Sequence, residues 1–243
     1  MKKTNNFSTL DQLFYAPEIA TIPELPEEES QHCLRVLRLK TGDSITITDG
    51  KGFFYRANIE NDRHPNRCQV SITNCWPQKQ FPDFDIHMAV APPKNMDRME
   101  WFVEKATEIG VSSITCLQCR YSERKEIKLQ RLNKIAISAM KQSQKACLPK
   151  IAEMVEFNVF ISLDFDGVKM IAHCADHNRQ LIKNVYIPNR PALILIGPEG
   201  DFCQEEISAA LAAGFTPVSL GESRLRTETA ALVACHTIHL LNY

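Results

Sequence analysis

Two turns near the C-terminal end hold the residues best suited to chemistry. The first is Leu195-Ile196-Gly197-Pro198-Glu199-Gly200-Asp201-Phe202. The second, 24 residues on, is Ser219-Leu220-Gly221-Glu222-Ser223-Arg224-Leu225-Arg226-Thr227. In each, an apolar strand runs into a glycine turn and a helix opens behind it. Ligands of open α/β sheets bind beyond the carboxyl ends of strands, and glycine lets a ligand approach the backbone closely. Two such turns at neighbouring strand ends would form one wall of a pocket. Arg226 adds a cation beside the second turn, suited to an anion or to negative charge that develops during a reaction. The sequence has neither the Gly-Lys-Ser/Thr of a P-loop nor the Gly-x-Gly-x-x-Gly of a dinucleotide site. The competing reading is a pair of tight turns with no ligand. Glu228 and Thr229 open the last helix, where capping is their structural role. His173 follows a strand end near the same pocket, either as a wall residue or as a loop histidine.

Charge is the second feature. A formal net charge of -1 over 243 residues conceals a segregation. Residues 118–150 hold nine Lys and Arg against two acids, whereas residues 151–243 hold six against eleven. A one-signed strip of this kind suits phosphate binding; the alternative is a solvated helix face. Arg35, Arg38 and Lys40 would extend the strip from the N-terminal region. The nine cysteines are irregularly spaced, and Cys116-Leu117-Gln118-Cys119 is a lone C-x-x-C. In a strand its two thiols point to opposite faces, so no metal site is expected. No apolar leader core follows Met1-Lys2-Lys3, and no run of about 18 apolar residues occurs. Free thiols in a reducing cytoplasm, with no membrane segment, are the expectation.

The elements that position these residues fall into two groups. A short helix is expected at 27–38, then strands at 44–48, 53–59 and 68–72, with Asp49-Gly50-Lys51-Gly52 as a hairpin turn. Short strands separated by turn residues suggest a small β-barrel over residues 1–76. Trp76-Pro77-Gln78-Lys79-Gln80-Phe81-Pro82 reads as a boundary, with the linker at 77–82. From 83 to 243 strands and helices alternate. Strands are expected at 84–90, 111–117, 168–172, 192–196 and 216–220. Helices are expected from Asp97 to a stop at Gly110, then at 128–146, 205–213 and 229–240. This alternation argues an α/β layer with a mostly parallel sheet.

The two glycine turns, in this order, resemble the RsmE family of ribosomal RNA methyltransferases. Further segments carry the resemblance along nearly the whole chain. They are the stretch Gln31 to Asp43, Lys94-Asn95-Met96-Asp97-Arg98-Met99-Glu100 with Lys105 to Val111, and Arg120-Tyr121-Ser122-Glu123-Arg124 with Gln142-Ser143. The resemblance implies a PUA-like β-barrel followed by an α/β SPOUT domain with a C-terminal trefoil knot. It also implies a homodimer that transfers a methyl group from S-adenosyl-L-methionine to N3 of a uridine in small-subunit (16S) ribosomal RNA, free or in the assembled subunit. Three departures stand out. Asp201 replaces the second glycine of Gly-Pro-Glu-Gly-Gly-Phe, Gln31-His32 stands where paired histidines are usual, and no basic residue precedes the aromatics of Phe14-Tyr15-Ala16-Pro17.

On this reading Leu195, Ile196, Gly197, Pro198, Glu199, Gly200, Ser219, Leu220, Gly221, Leu225, Thr227 and His173 would bind the cofactor. Arg226 would stabilise the uracil ring as its N3 loses a proton. Arg35, Arg38, Lys40, Lys94, Arg120, Arg124, Arg131 and Lys141 would contact RNA, and no metal is implied. The alternatives are a non-catalytic RNA-binding ribosome-assembly factor that keeps the same fold, and an unrelated nucleotide-binding α/β enzyme, which the missing phosphate motifs disfavour.

Overall fold

The computed structural model describes residues 12–78, 84–175 and 179–243. The chain divides into two units, residues 1–79 with 140–148 and residues 80–139 with 149–243. Residues 79–82 of the expected linker lie outside the described residues.

The first unit opens with β1 (Leu13–Tyr15) and α1 (Glu27–Gln31), which continues as a π-helical turn over His32–Val36. The expected helix at 27–38 stops early because Arg38 takes a left-handed backbone, with φ 58°. Then come β2 (Ser44–Thr48), β3 (Phe53–Asn61) and β4 (Gln69–Pro77). They form one sheet in the order β1-β2-β3-β4, with β1 parallel to β2 and the remaining pairs antiparallel. The hairpin between β2 and β3 falls where the sequence places it. Gly50 and Gly52 supply φ of 72° and 109°, and Asp49 Oδ1 accepts from the amides of Lys51 and Phe53. Phe14, Ile19, Leu25, Ile45, Ile47, Ile59 and Val70 close the core beneath the sheet.

The second unit is a seven-stranded parallel sheet with helices between its strands. Its elements begin with β5 (Ile86–Val90), α2 (Met96–Ile109), β6 (Ser113–Gln118) and α3 (Leu129–Gln142). They continue through β7 (Lys150–Glu156), α4 (Phe157–Ile161), β8 (Val168–Ala172), β9 (Gln180–Leu181) and α5 (Ile182–Val185). They end with β10 (Ala192–Ile196), α6 (Gln204–Ala212), β11 (Thr216–Ser219) and α7 (Thr227–Leu240). The strand order is β7-β6-β5-β10-β8-β11-β9. Every residue of β10 is buried, as a central parallel strand requires.

Two helix ends differ from expectation. The N-cap of α2 is Asn95, whose side chain accepts from the Asp97 amide, so the start lies before the Asp97-Arg98-Met99-Glu100 box. The long helix expected to 146 ends at Gln142, and Gln144 adopts φ 55°. Gly110 terminates α2 in the left-handed conformation, with φ 118°. Among the described residues no helix is long and apolar enough to cross a membrane.

Candidate cofactor site

The second unit carries a cavity of about 300 Å³ at the carboxyl ends of β8, β10 and β11. That volume is at the small end of the range for small-molecule sites. Its walls are the turn from Ile196 to Asp201, the turn from Ser219 to Thr227, and the β8 end with Ala172, His173 and Cys174. Of the residues expected to hold a cofactor, Ile196, Gly197, Pro198, Glu199, Ser219, Leu220, Gly221, Leu225, Thr227 and His173 all line it, as does Arg226. Leu195 and Gly200 do not. Leu195 is fully buried in the core with Ile171 and Phe202. Gly200 lies against Tyr121: a Cβ added to it would stand 3.2 Å from Tyr121 Cβ. Ala172, Cys174, Arg179, Asp201, Val218, Ser223, Arg224 and Ala230 also line the cavity and carried no sequence signal as wall residues. Arg179 lies beyond the β8 end, and its Nη1 donates to the His173 carbonyl at 2.7 Å.

The turn after β10 is braced by its own carboxylates. Glu199 Oε1 accepts from the Lys94 amide at 3.0 Å, fixing the loop after β5. Asp201 Oδ2 accepts from the Cys174 amide at 2.7 Å, fixing the loop after β8. Glu206 Oε1 accepts from the Arg120 amide at 2.7 Å, fixing the loop after β6, while its Oε2 accepts from the Cys203 amide and caps α6. Cys203, not Asp201, holds the N-cap position of α6. Asp201 instead adopts φ 64°, the left-handed conformation that a glycine would take without strain and that aspartate tolerates better than most. Gly197 is required for space: an added Cβ would meet the Phe202 ring at 3.1 Å and the Phe202 amide at 3.2 Å.

The turn after β11 is open. Gly221 has φ 126° with nothing within 4 Å of an added Cβ, so conformation and not space demands glycine there. Glu222, Ser223, Arg224 and Arg226 are exposed. Thr227 is buried, and its hydroxyl donates to the Gly197 carbonyl at 3.1 Å, linking the two turns. Arg226 makes no ion pair with any described residue, so its guanidinium is available at the cavity. Glu228, in the first turn of α7, is buried and lies 3.8 Å from Arg98 Nε. No side-chain cap closes the α7 start.

The eight expected RNA contacts fall in both units. Arg35, Arg38 and Lys40 are exposed on the first, where Lys141 pairs with Glu29 at 2.5 Å. On the second, Arg120 and Arg124 are exposed, Lys94 pairs with Glu123 at 2.8 Å, and Arg131 pairs with Glu100 at 2.5 Å. Arg124 Nε donates to the Lys94 carbonyl at 2.9 Å. Pairing lowers the free positive charge of the strip below the count read from sequence. Cys116 and Cys119 are buried, and burial pushes both thiols up, Cys116 to about 12. Among the described residues no group of three or more His, Cys, Asp or Glu is placed to hold a metal ion.

Comparison with known proteins places this geometry. Residues 79–239 match the model of a family described as RNA methyltransferase domain, and residues 25–73 match one described as RNA methyltransferase PUA domain. Ribosomal RNA small subunit methyltransferase E of Synechocystis sp. is 31% identical, over 99% of this chain and 80% of its own length. A crystal structure of a probable rRNA-methyltransferase from Porphyromonas gingivalis superposes with a TM-score of 0.90 at 45% identity, over 95% of this chain and 98% of that one. The crystal structure of ribosomal RNA small subunit methyltransferase E from Neisseria gonorrhoeae, bound to S-adenosyl methionine, gives 0.84 at 27% identity, over 95% and 98%.

Proposed function

The chain belongs to the ribosomal RNA small subunit methyltransferase E family, and from that premise we propose that it methylates N3 of a uridine in small-subunit (16S) ribosomal RNA. The α/β unit is a SPOUT methyltransferase domain and the N-terminal unit carries a PUA domain. The observation that carries the reading is the cavity at the ends of β8, β10 and β11, walled by both glycine turns and open beside Arg226.

The cavity fits S-adenosyl-L-methionine by its chemistry. Backbone groups at Ile196–Pro198 and Ser219–Gly221 would hold the polar edges of adenine and ribose. The side chains of Ala172, Val218, Leu225 and Ala230 provide apolar surface for the purine faces. When bound, this cofactor supplies an electrophilic methyl group. The protein's share is to align the acceptor with it, since displacement at carbon depends on near-contact geometry. N3 lies on the Watson–Crick edge of uracil, so the base must be unpaired or extruded. As N3 gives up its proton, negative charge spreads onto the ring carbonyls, and the Arg226 guanidinium, which lines the cavity, would stabilise that charge.

The same reading includes the trefoil knot in the C-terminal part of the α/β unit, a homodimer, the cytoplasm as location, and RNA contacts from Arg35, Arg38, Lys40, Lys94, Arg120, Arg124, Arg131 and Lys141. Calorimetry with S-adenosyl-L-methionine, followed by mass spectrometry of small-subunit RNA from cells with and without the gene, tests it. Binding, and loss of one methyluridine on deletion, are expected. An unchanged nucleotide profile would leave the non-catalytic assembly factor.

A further inference from the structure

Tyr121 is an exposed aromatic of the α/β unit that packs against the turn after β10 at Gly200, next to the lining residues Glu199 and Asp201. Its side chain is 54% exposed although it rests on Gly200, in the middle of the cofactor turn. An added Cβ at 200 would meet Tyr121 Cβ at 3.2 Å, tighter than an ordinary contact, so glycine lets the tyrosine sit close against this turn. The segment that presents it is held by three hydrogen bonds. The Ser122 amide donates to the Cys119 carbonyl, the Cys119 amide donates to Ser122 Oγ, and the Arg120 amide donates to buried Glu206. A pre-ordered aromatic loses little freedom on binding. The segment carries a net positive charge: Arg120, Arg124, Lys125 and Lys128 stand against Glu123 and Glu126, and Glu123 is paired with Lys94.

We propose that Tyr121 is a stacking platform for an unpaired RNA base, the target uracil or its immediate neighbour, held beside the cofactor turn. This rests on the methyltransferase reading and adds to it a substrate-positioning residue. An extruded base loses its stacking partners, and an aromatic face returns them whatever the base identity. The flanking arginines meet the adjoining phosphates. An aromatic ring, not merely bulk, is what the position offers, and charge favours a nucleic acid over an apolar protein partner at this surface.

The test uses the full chain, small ribosomal subunits purified from cells lacking the gene, and labelled S-adenosyl-L-methionine. Y121A and Y121L are expected to raise KM for the subunits, or lower kcat/KM, by about 10- to 100-fold, the range of one base–aromatic stack. Y121F is expected to restore the wild-type value, because the ring is kept. The Kd for S-adenosyl-L-methionine is expected to stay within about twofold in all three. A second readout is an oligouridine carrying one central 2-aminopurine, whose fluorescence the wild type and Y121F quench and Y121L does not. The proposal is overturned if Y121A and Y121L keep the wild-type KM. It is overturned equally if they weaken the cofactor as much as the RNA, since the ring then merely props the Gly200 turn, or if they change the oligomeric state, since the ring then faces a second copy. If the wild type neither binds cofactor nor methylates subunits, the methyltransferase reading fails instead.

Discussion

The turn after β10 and the turn after β11 line one cavity and share one sequence pattern, yet they are held in opposite ways. Three carboxylates between Glu199 and Glu206 pin the first to the loops after β5, β8 and β6. The second has a local Ser219–Gly221 contact and a single link through Thr227. Glycine is needed in the first because Phe202 fills the space, and in the second because the backbone turns left-handed. A braced wall and an open wall divide the labour. The braced one fixes where a ligand sits, while the open one brings Arg226 and Arg224 to it and leaves a way in.

Four experiments would break or sharpen that contrast. The largest effect is expected on the open wall: R226A should lower the single-turnover methylation rate about 10²- to 10³-fold while cofactor affinity changes little. Near-normal single-turnover rates with bound cofactor would remove Arg226 from the chemistry. Next, alanine at each glycine should act by a different route. G197A should destabilise the fold by about 1–3 kcal/mol through overpacking against Phe202 and weaken the cofactor at least tenfold. G221A should lower Tm as well, because φ 126° strains alanine by about 1–2 kcal/mol, but with nothing near its Cβ it should weaken the cofactor less than G197A does. Equal losses of cofactor affinity would erase the distinction between the walls.

A smaller effect separates the braces from the backbone. Glycine fits φ 64° without strain, so D201G should not lower Tm, yet it removes the acceptor for the Cys174 amide. A several-fold rise in cofactor Kd at unchanged Tm is expected from calorimetry. An unchanged Kd would mean that the loop after β8 holds itself. The smallest effect lies beneath the braced wall. His87 on β5 is partly buried against Phe160 and Phe165, and that burial lowers its pKa to about 4. Between pH 6.5 and 4 the unfolded chain binds this proton more readily, so stability should fall as pH falls through that window. Denaturant titrations at pH 7 and 5 should show the decline, and H87N should flatten it.

Much of this was legible in sequence where local rules and burial agree. The run Ala192 to Ile196 reads as a buried strand because all five residues are apolar, and it is the sheet's central strand. Gly110 stops α2 where its pattern ends. What stayed hidden is set by distant partners. β7, with its polar Lys150-Ile151-Ala152-Glu153 start, forms because β6 offers an edge to pair with. Residues 140–148 group with the N-terminal unit through contacts such as the Leu148 amide with the Gly50 carbonyl, which no local pattern foretells. In the site, spacing located both turns, but it could not show that Glu199 and Asp201 spend their carboxylates on backbone amides. Nor could it show that Lys94, Arg131 and Lys141 are already paired with acids.

The carboxylate braces have a thermodynamic corollary. The eight-residue stretch from Glu199 to Glu206 is at once a wall for one ligand and the mount for the Tyr121 loop. Whatever order one ligand imposes on that shared stretch, the other finds already in place. If the cofactor tightens the hold on RNA by some factor, RNA must tighten the hold on the cofactor by the same factor. The eight residues would then act as a common ledger for two binding events, and the departure of the spent cofactor or of the methylated strand would loosen the hold on the other.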